Sequence, residues 1–316
     1  MLPTILLSSL LAATVSGKCD YTFLSDSAGA YLNAQTKGLP SELRTRAANF
    51  TYTEQFKPKA LNSSILSTPL NITSSRSFHD TELCTSFTQV IVTDPKHPYV
   101  IGTRVEADGL YITKMETLVT DEGDWLFNAT GYAYWDDQED WSPIPESQRD
   151  SRDVIKAAGD AYFDRFADVN VSVPWGIPCS RLEGGAFTGT GNLSANTCNL
   201  GVPSSIHVVD RRYDVSVWES QTNANCLGRY VIDEEYGVVN IYLGFPGLNG
   251  ASSEPAPDSH TFRVVNGRIR YIHTISTCEG NPGCGLNGTA PPLSVTIPSF
   301  KNVRRSWNST LGFAMK

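Results

Sequence analysis

Two histidines near the end of the sequence occupy apolar positions of predicted strands. His260 alternates with Phe262, and His273 alternates with Tyr271 and Ile275. Because successive side chains of a strand point to opposite faces of a sheet, this spacing predicts that both histidines face a core or a pocket. A buried histidine is either a hydrogen-bonded core residue or a group that transfers protons, and the sequence leaves both roles open.

A second polar pair, Arg181 and Glu183, shares one face of a short predicted strand, with Leu182 on the other face. The pair can form a structural ion pair, or the guanidinium can donate hydrogen bonds to a substrate carbonyl oxygen. We predict that His273, Arg181 and Tyr271 are the catalytic donors. The residues predicted to line the same substrate-binding pocket are Tyr162, Phe166, Trp175, Glu183, Trp218 and His260.

Motifs for several other kinds of chemistry are missing from the sequence. The five histidines are scattered and no HExxH occurs, so we expect no catalytic metal. No GxSxG turn for a nucleophilic serine occurs either. The loop GGAFTGTG, which begins at Gly184, lacks the lysine of a phosphate-binding loop. We therefore expect chemistry without a metal, a nucleotide or any other cofactor.

The element that must position these residues is a helix that begins after Asp150. Asp150 is the predicted N-cap, and apolar residues recur behind it at helical spacing as far as Phe166. Pro174 and Pro178 cannot continue a helix, so the pattern ends there. A short polar strand, Cys179 to Glu183, follows.

The rest of the second half reads as strands that return to cover this helix. Asn266-Gly267 between two of them is a strong hairpin signal. Trp218 lies in a long predicted strand. The predicted strands are residues 205–220, 228–233, 238–245, 259–265 and 268–275.

The first half repeats this order more loosely, which indicates a tandem duplication. A helix around Tyr31 precedes strand-like runs, and a polar stretch from Asn62 to Ser77 is predicted to be a surface loop. We predict an α+β protein of two such domains, each with helices packed on a curved antiparallel sheet. The predicted boundaries are 18–120 and 150–280 for the domains, 121–149 for an aromatic and acidic connector, and 281–316 for a C-terminal tail.

Several features point to the secretory pathway. Residues 1–17 have the apolar run and small residues of a signal peptide. Seven cysteines without metal-ligand spacing favour disulfides. We therefore expect a glycoprotein that is secreted or resides in the lumen of the pathway. The sequons for N-glycosylation stand at Asn49, Asn62, Asn71, Asn128, Asn170, Asn192, Asn287 and Asn308.

Charge and hydropathy exclude two classes of partner. The net charge is -8, which gives no basic surface for a nucleic acid. The N-terminal apolar run is too short to cross a bilayer comfortably, and no second run of that kind occurs, so we expect no membrane span.

The element order and several motifs resemble known families. A helix followed by a bent meander, twice over, resembles the cone-shaped fold of nuclear transport factor 2 and the SnoaL-type cyclases (the NTF2-like fold). The motifs GDWLFNATGYAYWDDQEDWSPIPESQRDSR, AAGDAYFDRF, PWGIPCSRLEGG and SHTFRVVNGRIRYIHTIS resemble a family of secreted fungal proteins catalogued as a domain of unknown function. The resemblance covers roughly residues 20–280.

Family members with an assigned role resemble hetero-Diels–Alderases of tropolonic sesquiterpene biosynthesis, enzymes of fungal meroterpenoid secondary metabolism. The resemblance therefore implies polyketide and terpene substrates, a tropolone ortho-quinone methide and a humulene-type olefin. Such a cycloaddition needs an apolar pocket that holds both partners and donors on the carbonyl oxygen. The same residues also suit a dehydratase, isomerase or cyclase with a histidine or glutamate base, and a secreted binding protein stays open as a third class.

Overall fold

Each half of the chain folds as one α-helix followed by a six-stranded β-sheet. This computed structural model describes residues 19–202, 229–245, 256–278 and 284. Asp20 caps the first helix by accepting the Phe23 amide at 2.8 Å, and the left-handed Gly38 ends it. The first half consists of α1 (Tyr21–Lys37), β1 (Arg46–Glu54), β2 (Lys57–Pro58), β3 (Ser74–Asp80), β4 (Thr85–Val92), β5 (Tyr99–Ala107) and β6 (Ile112–Thr120).

The second half repeats this plan, so the predicted α+β architecture of two tandem units is confirmed. Between the halves, the connector carries α2 (Ala129–Asp136). The second half consists of α3 (Arg152–Ala167), β7 (Trp175–Glu183), β8 (Ala186–Phe187), β9 (Arg229–Asp233), β10 (Val238–Phe245), β11 (Ala256–Val265) and β12 (Arg268–Ser276).

The two sheets have the same strand order, β2-β1-β6-β5-β4-β3 and β8-β7-β12-β11-β10-β9. Neighbouring strands are antiparallel except for β1 with β6 and β7 with β12, which are parallel. The prediction of purely antiparallel sheets is therefore wrong. Each parallel pair joins strands that are distant in the chain, so no hairpin turn fixes their relative direction.

The strand registers make the two halves comparable position by position. In each half a glutamate, Glu54 or Glu183, ends the first strand, and two residues with positive φ follow before a two-residue strand returns. Counting along the paired strands from these glutamates aligns the rest of the two sheets. The equivalent pairs include Tyr52 and Arg181, Thr103 and His260, Glu116 and His273, Gln89 and Tyr242, Arg76 and Arg229, and Asp80 and Asp233.

Each sheet packs a helix on one face, here called the helix face, and the other sheet on its opposite face, the junction face. One apolar core lies between α1 and the first sheet, and another lies between α3 and the second sheet. A third core draws side chains from both junction faces, among them Phe87, Leu118, Val238 and Ile275. The two sheets therefore share one buried apolar interface.

Two reciprocal hydrogen bonds join the edge strands β3 and β9. The Ile232 amide donates to the Asp80 carboxylate at 2.9 Å, and the His79 amide donates to the Asp233 carboxylate at 2.8 Å. Because the two aspartates occupy equivalent positions, as do their donors, the halves are related by an approximate two-fold axis. Arg152 also donates two hydrogen bonds to the Asp80 carboxylate, from Nη1 at 2.8 Å and from Nη2 at 2.6 Å.

The start of α3 differs from the prediction. Its N-cap is Ser151, whose side chain makes no capping bond, whereas the Asp150 carboxylate accepts the Gly267 amide at 2.8 Å. The Arg152 amide donates instead to Glu234, at 2.9 Å. Two turns of the second sheet thus take part in fixing the helix end, a tertiary contact that local sequence does not reveal.

Three other segments also differ from the sequence-based expectation. Residues 74–77, predicted as the end of a surface loop, begin the edge strand β3 (Ser74–Asp80). An edge strand carries many polar side chains, so its sequence resembles that of a loop. The strand before Gly184 begins at Trp175, with a cis bond before Pro178. Helix α2 was not predicted, although Asn128 caps it by accepting the Gly131 amide at 2.9 Å. The predicted strand 205–220, with Trp218, lies outside the described residues.

Three disulfides join Cys19 to Cys84, Cys179 to Cys198 and Cys278 to Cys284. The seventh cysteine, Cys226, lies outside the described residues. Such bonds are consistent with the oxidising compartments of the secretory pathway. Across the described ranges no helix combines the length and the apolar character needed to cross a bilayer.

Candidate functional site

Five polar side chains meet on the helix face of the second sheet, and we call them the helix-face cluster. They are Tyr162 of α3, Arg181 and Glu183 of β7, and Asp258 and His260 of β11. Arg181 and Glu183 lie two residues apart on one strand, as do Asp258 and His260, so each pair shares a face. The Tyr162 ring lies 5.5 Å from the His260 ring, which brings the two pairs together.

Arg181 organises the first part of the cluster. Its Nη1 donates to the Tyr162 hydroxyl at 2.8 Å and lies 3.2 Å from Glu183 Oε1, and its Nη2 donates to the Leu200 carbonyl. Burial opposes the charge, but Tyr162 and Glu183 raise the pKa of the Arg181 guanidinium, so it stays protonated. The buried Arg181 Nε has no hydrogen-bond partner.

Tyr162 is a hydrogen-bond donor at neutral pH. Burial raises its pKa to about 12, although the neighbouring Arg181 opposes the rise. The phenol oxygen accepts from Arg181, and among the described residues no acceptor is found for its own proton. A phenol polarised by a guanidinium is suited to donate to a carbonyl oxygen that gains negative charge.

Asp258 and His260 form the second part of the cluster. His260 Nδ1 lies 2.5 Å from Asp258 Oδ1, and the other Asp258 oxygen accepts from the Ser276 hydroxyl. A carboxylate at Nδ1 favours the tautomer with its proton there, which leaves Nε2 as a proton acceptor. The described residues offer Nε2 no hydrogen-bond partner, and the rings of Phe163 and Phe262 lie 5.0 and 6.0 Å from the imidazole.

The first half has no ionisable cluster of this kind at the equivalent positions. Tyr52 and Thr103 stand where the second half has Arg181 and His260. There the Thr103 hydroxyl donates to the Tyr31 hydroxyl at 2.9 Å. Within the described chain, the pairing of a guanidinium donor with an imidazole acceptor on a helix face therefore belongs to the second half.

Residues predicted from sequence are only partly brought together. Phe166 and Trp175 pack against Tyr162, with ring centroids 5.3 and 6.1 Å away. His273 and Tyr271 lie instead on the junction face, because an irregularity in the register before Tyr271 reverses the faces of the residues that follow Ile269. The expectation that both histidines share one pocket is therefore wrong.

Two residues of the site were missed at the level of sequence. Asp258 precedes His260 by two positions, so alternation along the strand could have predicted that both side chains lie on the same face. Trp125 of the connector donates from Nε1 to Glu183 Oε2 at 3.1 Å. Gly184 lets the connector come this close, because a Cβ there would overlap the Trp125 carbonyl oxygen. No local signal indicated this contact between segments distant in the chain.

His273 belongs to a network that we call the junction cluster: Arg76, Gln89, Asp136, Glu139 and His273. His273 Nε2 lies 2.5 Å from Glu139 Oε2, and its Nδ1 lies 3.3 Å from Gln89 Oε1. Arg76 forks onto Asp136 at 2.5 and 3.1 Å. The network ties the connector to both sheets.

Three residues of the junction cluster are close enough together to be considered as ligands of a metal ion. Asp136, Glu139 and His273 offer ligand atoms within 4.8 Å of one another. However, the Arg76 guanidinium already neutralises Asp136, and the Trp141 indole donates to Glu139 at 3.0 Å. These residues therefore fit a hydrogen-bonded network better than a cation site.

A polar surface pocket of about 450 Å³ lies away from both clusters, beside Glu54, Asp121 and Asp124. Glu54 accepts from Lys59 at 2.6 Å, and Asp124 accepts the Cys278 amide at 2.6 Å. Since these carboxylates already have protein partners, the pocket offers less chemistry than the helix-face cluster, which we take as the candidate site.

A family model matches part of the second half of the chain. Residues 148–276 match the model of a family described as "Domain of unknown function (DUF8021)". The matched range spans α3 and the described strands of the second sheet, and so includes the whole helix-face cluster. No curated protein matches the chain.

Proposed function

We propose that the protein is an enzyme that converts a small, largely apolar carbonyl compound at the helix-face cluster. The observation that carries the proposal is the pairing of two motifs on one buried face. Arg181 and Tyr162 form a donor pair, and His260 held by Asp258 forms a proton acceptor. Aromatic side chains around these groups suit an apolar substrate and strengthen the polar contacts by excluding water.

The reaction that we propose first is the hetero-Diels–Alder cycloaddition of a tropolone ortho-quinone methide with a humulene-type olefin. Its basis is the sequence resemblance, and the donor pair supplies the activation it needs. Tyr162 and Arg181 donate to the carbonyl oxygen, which withdraws electron density from the diene and favours attack by the olefin. The protein holds both partners in one orientation, which replaces a bimolecular encounter.

The Asp258–His260 pair favours a second candidate, because a cycloaddition has no need of a base. In a dehydratase, isomerase or cyclase, His260 Nε2 removes a proton next to the carbonyl group while Tyr162 stabilises the resulting oxyanion. Asp258 then stabilises the imidazolium that forms.

The fold that we propose for each half is NTF2-like. The support is a helix followed by a sheet whose last four strands form an antiparallel run, found twice with the same strand order. We also propose that the protein acts after secretion or in the secretory lumen, in line with its disulfides and sequons.

The test is incubation of the purified protein with a tropolone quinone-methide precursor and a humulene-type terpene, followed by analysis of product yield and chirality. Tyr162→Phe should lower the rate about a hundredfold, as expected for loss of one preorganised donor. Tyr31→Phe is the matched control, because Tyr31 has the corresponding place in the first half and should leave turnover unchanged.

His260→Gln separates the two candidate reactions. Cycloaddition should survive this change, whereas a reaction that begins with proton removal should lose about two to four orders of magnitude. Saturable binding of the same compounds without any turnover would instead identify a binding protein and contradict the proposal.

A further inference from the structure

A third polar cluster lies between the two sheets and is not part of the proposed active site. It consists of Arg104, Glu116, Arg229 and Tyr242, and we call it the arginine cluster. Glu116 accepts from Arg229 Nη1 at 2.6 Å and from Arg104 Nη1 at 2.9 Å. The Arg229 guanidinium carbon also lies 4.1 Å from the centre of the Phe56 ring.

The arginine cluster is the two-fold counterpart of the junction cluster. Arg229 corresponds to Arg76, and Tyr242 corresponds to Gln89. Glu116 likewise corresponds to His273. The same approximate axis therefore exchanges one cluster with the other.

The two clusters differ in how the equivalent arginines are satisfied. Arg76 places both terminal nitrogens on the Asp136 carboxylate, which the connector supplies. Arg229 uses only Nη1, while its Nε and Nη2 are buried without a hydrogen-bond partner. The Tyr242 hydroxyl and Arg104 Nε are buried and unpartnered as well. No described residue provides the carboxylate that Asp136 provides in the other cluster.

Four buried donors without acceptors destabilise a protein unless a ligand or ordered water satisfies them. The local charge also favours an anion. Arg104, Arg229 and Lys114 face the carboxylates of Glu116 and Glu106, which leaves one positive charge in excess. A guanidinium edge with two free N–H groups matches the geometry of a carboxylate.

We propose that the arginine cluster is a binding site for a small carboxylate ligand. The carboxylate takes the place that Asp136 has in the junction cluster. It accepts from Nε and Nη2 of Arg229 and from the Tyr242 hydroxyl, while Phe56 covers one face of the guanidinium. This site is separate from the helix-face cluster, so its occupancy does not depend on the proposed reaction.

The experiment measures thermal unfolding of the full-length protein with increasing sodium benzoate, against sodium chloride at equal ionic strength. Benzoate should raise the unfolding midpoint in a saturable way, because a ligand bound only by the folded state stabilises it. Arg229→Lys keeps the charge but removes the free fork, and should weaken the apparent affinity about tenfold or more.

Two further variants separate binding from folding. Tyr242→Phe keeps the buried ring, so it should fold normally while it weakens benzoate binding several-fold. Arg270→Gln changes an arginine on the second sheet that is outside the cluster and should bind as the wild type does. The proposal is overturned if benzoate gives no saturable shift of the unfolding midpoint beyond that of chloride. It is also overturned if Arg229→Lys and Tyr242→Phe both bind benzoate as tightly as the wild type does.

Discussion

At the scale of single residues, several buried polar side chains among the described residues keep an atom without a hydrogen-bond partner. His79 is one of them. Its Nδ1 is buried without a hydrogen-bond partner, and burial lowers its pKa to about 4. Asp233, which accepts the His79 amide, has its pKa raised by burial to about 6.

These two shifts have opposite consequences for stability. Between pH 6.5 and 4 the unfolded chain protonates His79 and the folded chain does not, so His79 lowers stability as the pH falls. Asp233 takes up its proton in the folded state first, so its contribution is present at low pH and is lost as the pH rises through 6. Each residue changes the free energy of unfolding by about 3 kcal/mol over its pH range. Because the two changes have opposite signs, they nearly cancel.

We therefore expect His79→Gln to gain stability relative to the wild type as the pH falls from 6.5 to 4, by up to about 3 kcal/mol. Urea unfolding at several pH values measures this difference. His97→Gln is the control, because it makes the same change at an exposed histidine. A pH-independent difference between wild type and His79→Gln would show that His79 titrates normally.

Asn128 gives a second prediction at this scale, on glycosylation. Its side-chain oxygen caps α2 by accepting the Gly131 amide, and its side chain is half-buried, so a glycan on Nδ2 competes with the cap. We expect Asn128 to be unmodified, whereas Asn49, Asn62, Asn71, Asn170 and Asn192 are exposed. Enzymatic deglycosylation in heavy-oxygen water, followed by peptide mass spectrometry, distinguishes them. An isotope label at Asn128 would contradict the expectation.

At the scale of elements, the disulfide between Cys179 and Cys198 supports the candidate site. It holds Cys198 in place two residues before Leu200, whose carbonyl accepts from Arg181. The disulfide therefore helps to hold the Leu200 carbonyl where it orients the Arg181 guanidinium.

Replacing Cys179 and Cys198 by serine should lower the free energy of unfolding by about 3 kcal/mol and also reduce turnover. The matched control is the pair Cys19 and Cys84, whose bond closes a longer loop in the first half. Its removal should cost about 4 kcal/mol but leave turnover unchanged. Denaturant unfolding and product assays separate the two effects. Full activity without the Cys179–Cys198 bond would show that Leu200 does not hold Arg181 in place.

Sequence periodicity predicted most elements of the two sheets but few of the contacts between them. Alternation identified β10, β11 and β12, and the Asn266-Gly267 turn lies between the last two. The face of His273 was not predictable, because the irregularity before Tyr271 has no signature in the alternation. The contact between Trp125 and Glu183 joins segments 58 positions apart, and local pattern carries no information on such pairs.

At the scale of the whole molecule, the shared junction core makes the two halves one folding unit. Each sheet buries its junction face against the other sheet, and Phe87 is fully buried there. The connector adds polar links to both sheets, such as Arg76 with Asp136 and Glu139 with His273.

We therefore expect one cooperative unfolding transition for both halves. Phe87→Ala should lower the free energy of unfolding by about 3 to 5 kcal/mol and shift the whole transition. Calorimetry together with tryptophan fluorescence tests this, since a single transition gives coincident curves. Two separate transitions in the wild type would show that the halves fold independently.

The reciprocal bonds of Asp80 and Asp233 have a consequence for how the two halves diverged. Their arrangement is that of an isologous homodimer whose subunits have been fused into one chain. In a dimer of identical subunits every substitution appears twice, so a charged site introduced in one subunit also appears in the other. Fusion removes this coupling. One copy can then acquire Arg181 and His260, while the other retains Tyr52 and Thr103 at the same positions, without a guanidinium or an imidazole there.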